Sequence, residues 1–181
     1  MIKSAYSFAT KNEKVENHII VVWVDNESGV LARVVGLFSG RGYNIDSLAV
    51  AEVDKKKNIS RITISTSGTQ QVLQQIKLQL GKLVPVHKVA DFPANKKTLL
   101  REMVLIKIVS SKTKLEKAKK LCKKYKYTVI DRTQKSYVFE VSALKKEIDQ
   151  LLKKLHPLGL ASVSRTGIVA MTKGPETFKQ N

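Results

Sequence analysis

The sequence is short of cysteine, histidine, aromatics, acid and long apolar runs. One cysteine in 181 residues excludes an internal disulfide framework and a metal site built on cysteines. The three histidines, His18, His87 and His156, are dispersed over three predicted elements, and no spacing joins them into a metal site or a catalytic base. Asp46 and Asp131 stand without an evident mate, and Ser28 has no partner histidine or nucleophile elbow. No active site and no metal are therefore expected. Aromatic residues make up 6% of the chain, which leaves little surface for stacking bases. No apolar run approaches the length that spans a bilayer. Residues 1–17 have no long apolar core, so a secretory signal is not expected. They carry lysine and glutamate but no arginine, and read as a flexible polar extension rather than a transit peptide.

Acidic residues are outnumbered. There are 33 Lys and Arg against 15 Asp and Glu, a formal charge of +18. The excess is uneven: residues 1–91 carry 12 basic and 8 acidic residues, residues 92–181 carry 21 and 7. A domain this basic makes nucleic acid a rival partner. The lysine-rich stretch from Lys112 to Lys126 reads more simply as the solvated face of a helix.

Apolar residues reach 43%, enough for real cores. The chain is organised around Asp25 to Leu48. Before it, His18-Ile-Ile-Val-Val-Trp-Val24 is rich in β-branched residues and predicts a strand. Within it, Val30, Leu31, Val34, Val35 and Phe38 fall on one helical stripe. Asn26 and Ser28 are N-cap candidates, Gly29 allows a tight entry, and Gly42 is placed to end the helix in a left-handed conformation. The first N–H groups of such a helix lack internal partners and carry the positive end of its dipole, so a carboxylate sits well there. The same spacing also fits an ordinary capped helix start.

Asn26-Glu-Ser-Gly-Val-Leu-Ala-Arg-Val-Val-Gly-Leu-Phe-Ser-Gly-Arg-Gly-Tyr-Asn-Ile-Asp-Ser-Leu48 resembles the signature of the small, regulatory subunits of acetolactate synthase. Leu100-Arg-Glu-Met-Val-Leu-Ile-Lys-Ile108 and Ser164-Arg-Thr-Gly-Ile-Val-Ala-Met171 match the same family in the same order. The resemblance spans about His18 to Gly174.

The rest of the chain reads as one order given twice. A hairpin tip at Asp54–Asn58, a strand from Ile59 and a helix on Val72, Leu73, Ile76, Leu80 and Leu83 complete the first half. Val84 to Ala90 reads as its last strand. Strands around Met103–Val109, Tyr127–Ile130, Tyr137–Val141 and Ala161–Met171 alternate with helices marked by Leu115, Ala118, Leu121, Cys122 and Tyr125 and by Leu144, Ile148, Leu151, Leu152 and Leu155. Cys122, on its apolar stripe, reads as a buried inert thiol. The expected class is α+β, with two ferredoxin-like βαββαβ domains. The expected division is an extension over 1–17, a first domain over 18–91, a linker over 92–100, a second domain over 101–174 and a tail over 175–181.

The resemblance implies that the first domain is an ACT domain, pairing edge to edge into a homodimer. It implies an effector site on Asn26, Ser28, Gly29, Val30 and Leu31, completed by Asn44 and Ile45 of the partner. It further implies a valine or other branched-chain effector, a catalytic large subunit as partner, and thiamine diphosphate, magnesium and FAD in that subunit rather than in this chain. A chain of this kind has no catalysis of its own, no nucleic acid and no membrane. A bacterial cytoplasm is the expected setting, with a plastid stroma as the alternative. Arg101, Glu102, Asp131, Arg165 and Gly167 fit the family pattern. Tyr125-Lys126-Tyr127 departs from it, since the family has a Phe-Arg-Gly or Phe-Arg-Ala run there, and lysine lacks the bidentate fork of arginine. The rivals are a stand-alone amino-acid-sensing ACT protein and an RNA-binding protein. For the latter, Tyr137 and Phe139 share one strand face that is equally the face a helix would cover.

Overall fold

The computed structural model describes residues 15–92 and 98–175. Contacts divide the chain into two units. The first takes residues up to Leu99 and again from Ala170; the second takes Leu100–Val169.

The first unit runs β1 (Glu16–Asp25), α1 (Val30–Ser39), β2 (Ser47–Asp54), β3 (Ile59–Gly68), α2 (Gln70–Leu80) and β4 (Val86–Phe92). Its sheet has the order β2-β3-β1-β4, with antiparallel pairs throughout. Register follows the apolar pattern, with Ile20 opposite Ile64 and Val22 opposite Ile62. These strand residues, with Val30, Val34 and Phe38 of α1 and Leu73, Ile76 and Leu80 of α2, form the core. β1 is buried without interruption from Ile19 to Val24, as its unbroken apolar run implies for a strand covered on both faces. On the face away from the core, the Arg61 guanidinium lies 5.3 Å from the Trp23 ring centroid and 5.7 Å from that of Phe92, within cation–π range. Burial lowers the Arg61 pKa. Its Nη2 donates to the carbonyl of Ala170, a residue of the same unit.

Helix α1 buries Val30, Val34, Leu37 and Phe38. Leu31, expected on that stripe, is instead exposed, and Val35 is half-buried at its flank. The helix ends as its glycines imply: Gly42 has φ 69°, and the Tyr43 N–H reaches back to the Phe38 carbonyl at 2.9 Å. Helix α2 is capped by Thr69, whose hydroxyl accepts from the Val72 N–H at 3.4 Å. Leu83 lies beyond that helix. Val84, expected in a strand, is 94% exposed, and β4 opens only at Val86.

The order repeats with β5 (Thr98–Val109), α3 (Lys112–Cys122), β6 (Lys126–Arg132), β7 (Ser136–Ala143), α4 (Lys145–Leu155) and β8 (Leu160–Thr172), in a sheet ordered β6-β7-β5-β8; all but the first two residues of β5 and the last three of β8 belong to the second unit. Val104, Ile106, Ile108, Phe139 and Val141 meet Leu115, Ala118, Cys122, Ile148, Leu151 and Leu155 in its core. Tyr137 and Phe139 are both buried there, ring edge to ring face at 5.9 Å and 74°. They are therefore not an exposed stacking platform. Cys122 is buried, and desolvation pushes its thiol pKa up to about 12, so it stays an inert thiol at neutral pH.

Several expected boundaries shift. Glu16 and Asn17 already belong to β1. Phe92 closes β4 and Thr98–Leu100 open β5, so the linker proposed over 92–100 is shorter at both ends. Residues 1–14, 93–97 and 176–181 lie outside the described residues, and with them most of the expected extension and tail. Among the described residues no helix is long and apolar enough to cross a membrane.

Candidate functional site

The loop between β1 and α1 is set by backbone geometry. Gly29, not Asn26 or Ser28, is the N-cap of α1. It has φ 84°, a left-handed conformation that a Cβ would strain. A glycine cap offers no side chain, and none bonds to the first turn. No acidic residue lies in that turn either. The Val30 N–H turns back to the Glu27 carbonyl at 3.4 Å, and the helix presents its positive dipole end at an open surface, with nothing within 4 Å of where a Gly29 Cβ would stand.

Asn26 is drawn away from the helix to the end of β3. Its backbone N–H donates to the Asn58 carbonyl at 2.7 Å, and its own carbonyl accepts from Asn58 Nδ2 at 3.3 Å. Its side-chain Oδ1 accepts from the Ser60 hydroxyl at 2.9 Å. With the oxygen so occupied, the amide N–H₂ is the donor group left on the Asn26 side chain. Ser28 is exposed, Val30 is buried in the core and Leu31 is 40% exposed. The five residues share one loop and the first turn of α1, with Ser28 and Leu31 at the surface and Val30 in the core.

Asn44 and Ile45 lie elsewhere. They precede β2, which opens at Ser47 rather than at Asn44. Ile45 packs half-buried against the first core. The Asn44 carbonyl accepts from the Thr66 hydroxyl at 2.6 Å, and its Nδ2 donates to Asp46 Oδ1 at 2.6 Å. Asp46, which seemed mateless in the sequence, also accepts from the Ser67 hydroxyl at 2.8 Å, and that hydroxyl lies 2.6 Å from Asn17 Oδ1. Asn26 is tied to Ser60 and Asn44 to Thr66, six strand residues apart on β3, or roughly 20 Å. One chain does not bring the two groups together.

The residues that hold these asparagines, Ser60 and Asn58 on one side and Asp46, Thr66 and Ser67 on the other, carry no local sequence signal. They act through cross-strand register. Of the histidines, His18 is buried with Nδ1 3.4 Å from Asp91, and His87 Nε2 lies 2.6 Å from Asp25. Among the described residues no three metal-ligating side chains gather.

In the second unit, Arg165 of β8 forks onto Glu102 of β5, with Nε and Nη2 each at 2.7 Å from a carboxylate oxygen. Its Nη1 reaches Asp149 of α4 at 2.7 Å. Glu102 is 3% exposed. Its hydrogen bonds, with those to Asp149, hold the guanidinium pKa above its ordinary value. The trio joins two strands and a helix of one unit.

Taken together, the fold and the loop geometry define a protein of two ferredoxin-like modules, the first with a glycine-capped helix opening at its surface. Comparison with known proteins sharpens the class. Residues 20–88 match the family described as the small-subunit-like ACT domain of acetohydroxyacid synthase, and residues 101–174 match the small subunit of acetolactate synthase. The chain is 37% identical over 162 residues to the acetolactate synthase isozyme 3 small subunit of Salmonella typhimurium, covering 89% of this chain and 98% of that one. It is 37% identical over 161 residues to the small subunit of Haemophilus influenzae, covering 88% and 98%. The crystal structure of the small subunit from Thermotoga maritima superposes with a TM-score of 0.81 at 30% identity, covering 89% of this chain and 99% of that one. The chain belongs to the family of acetolactate synthase small, regulatory subunits, and its first unit is an ACT domain.

Proposed function

We propose that this chain is a non-catalytic regulatory subunit that activates the thiamine-diphosphate-dependent large subunit of acetolactate synthase and confers feedback inhibition by valine. Thiamine diphosphate, magnesium and FAD belong, on this reading, to the large subunit, and the setting is the cytoplasm. The observation that carries the effector site is the split one. The donor loop at Asn26–Leu31 and the Asn44–Ile45 corner sit at opposite ends of the sheet, and β2 is an edge strand with Val50 to Val53 exposed.

An exposed edge strand is open to pairing. Two copies of β2 pairing antiparallel about a two-fold axis would set the start of one against the end of the other. The partner's Asn44 and Ile45 would then face the Asn26–Leu31 loop. The helix N–H groups and Asn26 would take the carboxylate of an amino acid, the Asn44 side chain its ammonium, and Leu31 with the partner's Ile45 its branched side chain. The same pairing would cover Leu31 and Val50, which are 40% and 44% exposed. Feedback follows if valine binds one conformation of the complex better than another.

The test is Gly29→Asp. It places an anion where the ligand carboxylate belongs. The expected result is loss of valine inhibition with activation of the large subunit retained. Unchanged inhibition would sink the site.

A further inference from the structure

The helices of the second unit carry a charge that its own acids do not answer. Lys112, Lys114, Lys117, Lys119 and Lys120 lie on α3, with Lys123 and Lys124 just after it; Lys145, Lys146, Lys153 and Lys154 lie on α4. Lys119 is half-buried and the other lysines are exposed. The helical period puts Lys117, Lys120, Lys146 and Lys153 on the outermost stripes, opposite Leu115, Ala118 and Cys122 and opposite Ile148, Leu151 and Leu155. Among the described residues none of these lysines has a carboxylate within salt-bridge distance.

The acids on the two helices answer little of it: each takes its hydrogen bond from another group, although Lys112 and Lys119 lie near enough to Glu116 to help depress its carboxyl pKa. Glu116 accepts from the Tyr137 hydroxyl at 2.8 Å. Glu147 accepts from the Leu144 backbone N–H at 2.9 Å, closing the start of α4. Asp149 is taken by Arg165.

Helix stability explains part of this lysine and not the rest. Lys119, Lys120, Lys153 and Lys154 fall in last turns, where a cation complements the dipole. Lys112, Lys114, Lys145 and Lys146 fall in first turns, where a cation opposes it. For Lys112 the nearby Glu116 offsets part of that cost; Lys114, Lys145 and Lys146 have no such compensation from an acid on their own helix that is not already hydrogen-bonded elsewhere. Neither helix carries an arginine or an aromatic residue. The face therefore lacks the forks and stacking planes that read nucleotides and offers only point charges.

We infer that the α3–α4 face of the second unit is a docking surface for an acidic protein surface on the catalytic large subunit. This rests on the subunit reading above and adds to it the element that makes contact and the sign of the partner's charge. Such a face steers association and fixes which side of the module meets its partner.

The test uses the full chain and its large subunit. A variant with Lys112→Gln, Lys114→Gln, Lys145→Gln and Lys146→Gln removes only the cations that oppose the helix dipoles. Its melting temperature is expected to rise, which shows that it folds, while the Kd for the large subunit rises about tenfold at low salt and depends less steeply on salt. Valine binding by the chain alone is expected to stay unchanged. A higher melting temperature with unchanged Kd and salt dependence would reduce the face to a solvated one and overturn the inference. Loss of single-stranded RNA binding by the variant, with large-subunit affinity intact, would assign the face to nucleic acid and overturn it too. Failure of the wild-type chain to associate with the large subunit would instead remove the subunit reading itself.

Discussion

In the first unit β1 is buried on both faces from Ile19 to Val24; in the second, β5 alternates, with Val104, Ile106 and Ile108 buried and Lys107 and Val109 exposed. The helices differ in the same sense. Helix α1 has one charged residue, Arg33, and leaves Leu31 apolar at its surface, whereas α3 has five lysines. One topology thus serves two purposes. The first module has its central strand buried on both faces and leaves an apolar residue, Leu31, at its helix flank. The second keeps one sheet face open and surrounds its core with cations. What distinguishes the modules is which surfaces are left for others, not the order of their strands.

The largest expected effect comes from the polar anchor of the second unit, which has no equal in the first. Arg165→Ala leaves Glu102 buried and unpaired, and should cost about 3–5 kcal/mol. Thermal unfolding measures it, and replacing both residues by leucine should recover most of the loss. In the first unit, the lysine–carboxylate pair of Lys77 with Asp91 at 3.5 Å, partly exposed, should cost no more than about 1 kcal/mol when Lys77 is truncated. Equal losses in the two variants would erase this difference between the modules.

Two glycines sharpen the comparison. Gly159 has φ 97°, and a Cβ there would run into the Val109 carbonyl and Ser110. Gly159→Ala should fall at the upper end of about 1–3 kcal/mol. Gly29 has a positive φ but open space around it, so Gly29→Ala should cost only about 1–2 kcal/mol. Denaturant titration of the two variants orders them. The reverse order would mean that the Gly29 loop is more tightly packed than its surroundings indicate.

A smaller effect belongs to Tyr137 and Glu116. The Tyr137 hydrogen bond, with Lys119, Arg132 and Lys112 nearby, holds the Glu116 carboxyl below its ordinary pKa. A carboxyl depressed in the folded state lends stability above its unfolded pKa and loses it as pH falls through the folded value. Tyr137 itself is raised, chiefly by the bond to Glu116, so its contribution is lost as pH rises past its ordinary value. The melting-temperature gap between wild type and Tyr137→Phe should therefore be widest near neutral pH and close at both extremes. A gap independent of pH would assign the loss to packing alone.

How far these features were legible depends on their range in sequence. The βαββαβ order came from periodicity, because each element carries its own apolar spacing: Val104, Ile106 and Ile108 at period two, Leu73, Ile76 and Leu80 at period near 3.6. The glycine stop at Gly42 was local and therefore readable. Leu31 was misplaced because stripe counting cannot tell the centre of a buried face from its flank. Residue type favours Asn26 as a cap; the pull of Ser60, 34 positions away, is invisible until β1 and β3 are in register. Asp46 seemed isolated for the same reason, its second partner Ser67 arriving from another strand.

The central claim is that the effector site is shared by two chains. Its most direct test is a mixed dimer, purified by two tags after co-expression of the Gly29→Asp chain with an Asn44→Ala chain, and titrated calorimetrically with valine. Each variant homodimer should fail to bind. The mixed dimer pairs one intact loop with one intact Asn44 corner, so it should bind with wild-type affinity at about half the wild-type number of sites. No binding by the mixed dimer while wild type binds normally, or wild-type binding by either homodimer, would contradict a site built across two chains.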